Sequence, residues 1–436
     1  MSTTVTASAP GAPQAPESAT GTRAAVRSWR PVIVFGIGAL LALIVFAIGA
    51  PNATATFRFS ETGDAFGLPD LALSAVVLGW VCALVCVAVA VLAFLAVRAG
   101  RPLNRWLTAL FWVAFLIGFL TWVVGSAKTP NVSLAGLLAG SVTLAVPLIF
   151  GSLSGVLCER AGVVNIAIEG QLLFGAFSAA VVGSVTQNAY AGLVAACVAG
   201  ALVALVLTVF SIKYYVNQII VGVVLNVLVS GLTGFLFSTV LTRDAELFNS
   251  PPQLPHWNIP VLADIPVIGP ILFRQTLVGY LMYVAVIAVY IGLFHTRWGL
   301  RVRAVGEHPK AADTVGIKVN RTRFTNVLLG GVVAGLGGAF FTLVSVSQFT
   351  KDMTGGQGFI ALAALIFGRW NPIGAFFAAL LFGFATNLQY VLSFLGTPVP
   401  SQFLAMLPYL VTILAVAGLV GRSQSPAASG VPYLKS

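Results

Sequence analysis

Four polar side chains stand inside or at the edge of long apolar runs in this sequence: Asn165, Glu169, Gln171 and Asn226. An amide in apolar surroundings can hydrogen-bond an uncharged polar solute or bridge two helices. A carboxylate at membrane depth is expensive and usually faces a cavity or a partner. Glu169 lies in SLSGVLCERAGVVNIAIEGQLLFG (152–175), where Gly162 and Gly170 permit a helix break, and broken membrane helices line cavities. Two readings stay open for it: a wall or gate of a solute pathway, or a partner of Arg160 near the membrane surface. Asn226, in NQIIVGVVLNVLVSGLTG (217–234), would either touch solute or join two helices. Phe359 opens a third segment, which follows the glycines at 355, 356 and 358 and ends on Arg369, Asn371 and Pro372. It is counted with these four as a candidate pathway residue.

Other kinds of chemistry are missing. A phosphate-binding loop needs Gly-Lys followed by Ser or Thr. The chain has no Gly-Lys dipeptide, so it does not hydrolyse ATP by that route alone. His256, His295 and His308 fall in the gaps between apolar runs, which gives no embedded catalytic cluster. Cys82, Cys86, Cys158 and Cys197 lie in or beside apolar segments without the spacing of a metal site, and read as free, small, buried residues. Neither catalysis nor a cofactor or metal is expected of this chain itself.

The second candidate site is RWGLRVRAVGEHPKAADTVGIKVN (297–320). Pro309 suits the first turn of a helix and Gly316 its end. The stretch between them predicts a helix of about two turns, roughly 10 Å long. Ala311 and Ala312 would keep one side of it narrow, with Glu307 just before it. Such a helix could enter a groove on a partner; the alternative is a solvated basic loop that only sets topology.

The elements that must hold these residues are membrane helices. The chain is 436 residues long, 58% hydrophobic and 8% charged, with a mean hydropathy of +0.98. Soluble domains carry about 25% charged residues. Apolar blocks run at approximately 31–50, 71–97, 106–125, 132–150, 163–186, 189–211, 218–241, 276–294, 324–346, 354–369, 372–392 and 402–421. Many match the roughly 20 residues that cross a bilayer, and none alternates like a barrel strand. The expected fold is an all-α polytopic membrane protein with about 10–12 crossings, some of them short or broken. Gly136/Gly140, Gly151/Gly155 and Gly331/Gly335 are spaced for close helix packing.

The formal charge of +11 sits in the gaps, without the aromatic-interleaved basic stripe of a nucleic-acid binder. It fits the excess of Lys and Arg in cytoplasmic loops. Arg98, Arg101, Arg105, Lys213 and the seven Lys and Arg of 297–323 then fall inside, whereas 51–70 and 242–275 fall outside. Both termini are expected in the cytoplasm. The organisation reads as a disordered tail (1–30), a transmembrane extension (31–125), a core (132–421) containing the 297–320 segment, and a short tail (422–436).

In this order, these segments resemble the permease subunits of bacterial ABC importers for simple sugars, nucleosides and branched-chain amino acids. ERAGVVNIAIEG (159–170) resembles the nucleoside branch, as do NQIIVGVVLN (217–226) and GFIALAALIFGRWNPIGA (358–375). RAVGEHPKAADTVGI (303–317) resembles that family's coupling segment, which places Glu307, Pro309, Ala311, Ala312 and Gly316 against an ATPase. The likeness covers about 132–421. It implies a multi-pass inner-membrane protein that passes nucleosides, with ATP used by a separate cytoplasmic ATPase. It further implies a second, often non-identical permease subunit and a membrane-anchored binding lipoprotein. The alternatives are a ribose-type sugar permease and an ion-coupled secondary transporter. The latter would show duplicated halves and midplane charges, and the sequence shows no convincing repeat and few intramembrane acids.

Overall fold

The computed structural model describes residues 29–406 except 62, 102, 397 and 398, together with 408–409 and 424–434. Nearly all of the 1–30 tail and most of the final apolar block (402–421) lie outside the described residues.

The architecture is all-α, and ten of the described helices are long and apolar enough to cross a membrane. The extension comprises α1 (Arg30–Leu41, continued by a π-helical stretch Ala42–Ile48), α2 (Ala75–Arg98) and α3 (Arg105–Gly125). Its helices meet through aromatic rings: Phe35 on Phe111 at 4.6 Å and Phe46 on Phe115 at 5.1 Å between centroids. Strands β1 (Thr54–Arg58), β2 (Leu71–Ser74) and β3 (Asn131–Ser133) form a small sheet in the order β2-β1-β3, antiparallel then parallel. This sheet ties the extension to the start of the core.

The core follows as α4 (Leu134–Arg160), α5 (Ile168–Thr186), α6 (Ala189–Thr208), α7 (Gln218–Leu236), the short α8 (Ala245–Phe248) and α9 (Leu277–His295). Strands β4 (His256–Asn258) and β5 (Arg274–Thr276) form a two-stranded ribbon before α9. Next come α10 (Arg297–Glu307), α11 (Pro309–Thr314), α12 (Val319–Phe340), α13 (Gln357–Phe367), α14 (Pro372–Phe394) and α15 (Ser401–Ala405). The sequence reading missed α10, whose basic residues hid a face made of the buried Gly299, Val302, Val305 and Gly306.

Glycine sets the tightest crossings. A side chain at Gly335 would overlap the Ala196 carbonyl, and one at Gly331 would overlap Ala204 and the Gly200 backbone. Here α6 and α12 therefore touch backbone to backbone. Gly151 and Gly155 of α4 accommodate Ala361, Leu365 and Ile168 from α13 and α5. The first residue of α5 thus sits beside α4 five to nine residues before Arg160, about 8–13 Å inside that helix's end at 1.5 Å per residue. α13 has 11 residues and spans about 16 Å, roughly half the hydrocarbon thickness. α5 therefore begins well inside the end of α4, and α13 is too short to cross a bilayer alone, so the core contains short and broken helices as expected.

Candidate functional site

The corner between α4 and α5 is held by side chains. Asn165 Nδ2 donates to Gln171 Oε1 at 3.0 Å and to Ser154 Oγ at 3.2 Å, and Gln171 Nε2 returns a bond to Asn165 Oδ1 at 3.4 Å. Both amides are fully buried. On the other flank, Asn226 of α7 donates to the Ile166 carbonyl at 2.9 Å and accepts from the Gly170 N–H at 2.8 Å. Gln218 accepts from Val164 N at 2.7 Å. Such bonds satisfy the backbone that the helix break frees, as apolar surroundings require. Asn226 thus bridges elements of the core, and Asn165 and Gln171 are spent on each other. None of the three lines either of the two cavities described below.

Glu169 does not meet Arg160. Its Oε1 accepts from Thr354 Oγ1 at 2.6 Å and from Gly356 N at 2.9 Å, and its Oε2 accepts from Gly358 N at 2.6 Å. The carboxyl group therefore sits at the N-terminus of α13, where free N–H groups and the helix dipole favour negative charge. Gly355 and Gly356 take φ of +54° and +81°, open to glycine at little cost. A side chain at Gly358 would strike the Glu169 backbone. The preceding loop is anchored by Asn249, which exchanges bonds with the Phe349 backbone, and by Ser230, which donates to Asp352 at 2.5 Å. Phe359 is half-exposed, and its ring lies beside Gly356.

Glu169 grips the residues on either side of Gln357, and Gln357 does line a cavity. This space, of about 240 Å³, lies between α4, the head of α13, α14 and the residues Ala405, Pro408 and Tyr409. Gln357, Thr386, Gln389, Tyr390 and Tyr409 supply its polar wall, and Leu144, Leu148 and Ile360 its apolar one. Among the described residues no charged side chain lines it. The Oε1 of Gln357 is buried and has no hydrogen-bond partner among the described residues. Sequence reasoning passed over these residues, although Gln357 and Gln389 are amides at the edge of or within apolar blocks, as Asn226 is. A larger recess of about 400 Å³ opens between β3, α4 and α14. It is lined mainly by Val132, Leu137, Val391, Phe394 and Leu395, and its walls offer few donors to orient a polar solute.

On the face bearing α10 and α11, Arg160 Nε donates to the Trp370 carbonyl at 2.9 Å, and Trp370 Nε1 donates to Glu159 Oε2 at 2.5 Å. These bonds hold a corner at which Arg369 and Trp370 both adopt left-handed backbone, with φ of +56° and +54°. Each such non-glycine residue stores about 1–2 kcal/mol. Arg160 and Arg303 both stack over Phe294, at 5.6 and 5.1 Å.

α11 starts on Pro309, and Gly316 leaves it with φ of +85°. Its two alanines do not share a face. Ala311 is exposed, whereas Ala312 is 3% exposed and packs on Val305, Val319 and Tyr433. At about 100° per residue, Ala312 is turned from the open side of Ala311 towards the neighbouring helices. The side open to a partner is therefore that of Lys310, Ala311, Thr314 and Val315, with Glu307 behind it engaged by Ala427 N.

Comparison with known proteins bears on this geometry. The family described as branched-chain amino acid transport system / permease component matches residues 137–416. The guanosine ABC transporter permease NupQ of Bacillus subtilis is 41% identical over 69% of this chain and 96% of its own length. The nucleoside ABC transporter permease NupC of Lactococcus lactis is likewise 41% identical, over 69% and 97%. A putative glucose ABC transporter permease of Haloferax volcanii, TsgC13, is 34% identical over 67% and 93%. No solved structure matches the chain.

Proposed function

Because this chain belongs to the family of branched-chain amino acid transport system permease components, we propose that it is the membrane-spanning subunit of an ATP-driven importer that passes nucleosides across the bacterial inner membrane. One observation carries the substrate: the cavity at the head of α13, with two amides, two phenols and a hydroxyl in otherwise apolar walls. Hydroxyls of a ribose and the edge of a base need donors and acceptors of this kind, and the tyrosine rings offer a face to a heterocycle. Among the described residues that line the cavity there is no cation to hold a phosphate, which favours nucleosides over nucleotides. Its volume is below the about 300 Å³ lower end of small-molecule pockets, so it suits one small solute in transit. The permeases named for guanosine and nucleosides support the same substrate class.

The remaining machinery is proposed with it. A cytoplasmic ATPase would dock on the exposed side of α11 and use the ATP. A second permease subunit would complete the pathway, and a binding lipoprotein would deliver solute from the side of the β-sheets. The α10–α11 face, rich in Arg and Lys, would be cytoplasmic. The similarity to a permease named for glucose gives the rival reading, a sugar importer.

Uptake separates the two. The complete importer in vesicles should accumulate labelled guanosine, adenosine or uridine, and Gln389→Ala should lower uptake about fivefold, as loss of one hydrogen bond of about 1 kcal/mol implies. Uptake of glucose or ribose with no response to any nucleoside would refute the nucleoside reading.

A further inference from the structure

After the last apolar block the chain comes back to α11. Residues 424–434 lie against the ends of four helices, joined by backbone bonds. Ala428 N donates to the Gly306 carbonyl at 2.9 Å and Gly430 N to the Gly162 carbonyl at 3.3 Å. Ala427 N donates to Glu307 Oε2 at 3.2 Å. Arg323, 2% exposed near the start of α12, donates from Nη1 to the Val431 carbonyl at 2.8 Å. Gly162 and Gly430 both have positive φ, +89° and +79°, and a side chain at Gly162 would strike the Arg323 guanidinium. The segment is therefore fitted between α4, α10 and α12.

Tyr433 completes the contact. It is 7% exposed and closes a small apolar cluster with Val305 of α10, Ala312 of α11 and Val319 of α12. Burial and the Asp313 carboxylate of α11 push the pKa of its phenol up. Helices this short do not persist alone, and α11 has six residues. It depends on what it is packed against, and among the described residues Tyr433 is the only aromatic ring in that cluster. The opposite side of α11 stays open.

We infer that residues 424–434 are a positioning strap for energy coupling: by seating Tyr433 under α11, they fix that helix to the ends of α4 and α12, so that motion delivered to α11 moves the membrane helices with it. This rests on the reading of α11 as the ATPase contact. The strap holds the inner side of α11 and leaves the outer side to the ATPase, so the two do not compete.

The test uses the complete importer reconstituted with its ATPase. Tyr433→Ala should leave ATPase association intact and hydrolysis within about twofold, while nucleoside uptake per ATP falls about tenfold. Tyr433→Phe, which keeps the ring and loses the hydroxyl, should restore uptake per ATP to within about threefold. Unchanged uptake per ATP in Tyr433→Ala overturns the strap, and so does loss of ATPase association, which would make Tyr433 a docking contact. A spin label on Thr314→Cys reads the strap without the ATPase. It should become mobile in the Tyr433→Ala background and stay ordered in Tyr433→Phe, and an unchanged spectrum overturns the inference. Failure of the unaltered importer to bind an ATPase or move nucleosides would instead remove the proposed function, with the label still reporting on the strap.

Discussion

In the extension, Phe35, Phe46 and Phe111 fill the space between α1, α2 and α3, and shape alone does most of the work. In the core, α6 and α12 touch backbone to backbone at Gly200, Gly331 and Gly335. There buried amides and one carboxyl group stitch broken helices together. Lipid is as apolar as leucine, so ring packing holds helices by contact and tolerates small adjustments. A hydrogen bond within the bilayer has no water to replace it. The extension thus reads as a well-packed support, and the core as the part in which individual atoms matter. The matched family region begins at residue 137, after α3.

The sharpest way to break this contrast is at Glu169. Glu169→Ala leaves Thr354 Oγ1, Gly356 N and Gly358 N without their acceptor, at about 1–3 kcal/mol for each buried group. Thermal melting of the purified chain should shift strongly downward and uptake should fall more than tenfold. Glu169→Gln, which keeps an acceptor oxygen, should lose less. A mild Glu169→Ala phenotype would mean that the head of α13 is not held as described.

Glycine crossings against aromatic packing give the middle effect. Gly335→Leu must push α12 off the Ala196 carbonyl, an overpacking of about 1–3 kcal/mol or more, and should reduce the yield of folded protein. Phe111→Leu, at a fully buried position in the extension, should cost only about 1 kcal/mol and leave uptake per folded molecule unchanged. Equal damage from the two, measured by melting temperature and uptake, would erase the distinction.

The smallest effect belongs to the seam between the regions. Ser133 Oγ caps α4 by accepting from Gly136 N at 2.9 Å and donates to Glu61 at 3.1 Å. Ser133→Ala should lower stability by about 1 kcal/mol, as for other N-caps, with transport intact. Loss of transport from this change would show that the extension acts on the pathway.

The helical fold was legible because apolar block length and the price of exposed backbone in lipid admit few alternatives. Pro309 and Gly316 marked the ends of α11, since their backbone preferences are local. Glu169 could be singled out as an expensive group, but its partner Thr354 lies 185 positions away, and no local rule links them. The orientation of Ala312 was equally hidden, because Tyr433 reaches it from the far end of the chain. The cavity residues Gln357 and Gln389 carried a usable signal that the same polar-in-apolar rule could have collected. The strap carried none: QSPAASGVPYL has no periodic pattern, and apart from Tyr433 its contacts are made through backbone atoms.

The strap also sets an order of events during biogenesis. Residues 424–434 are translated after every membrane helix described here, yet their partners Gly162, Gly306 and Arg323 emerge from the ribosome far earlier. Until the strap arrives, α11 lacks the ring that seats it. In a partly made chain α11 is therefore not yet fixed to the ends of α4 and α12, and that join is completed only when the last described segment has been made.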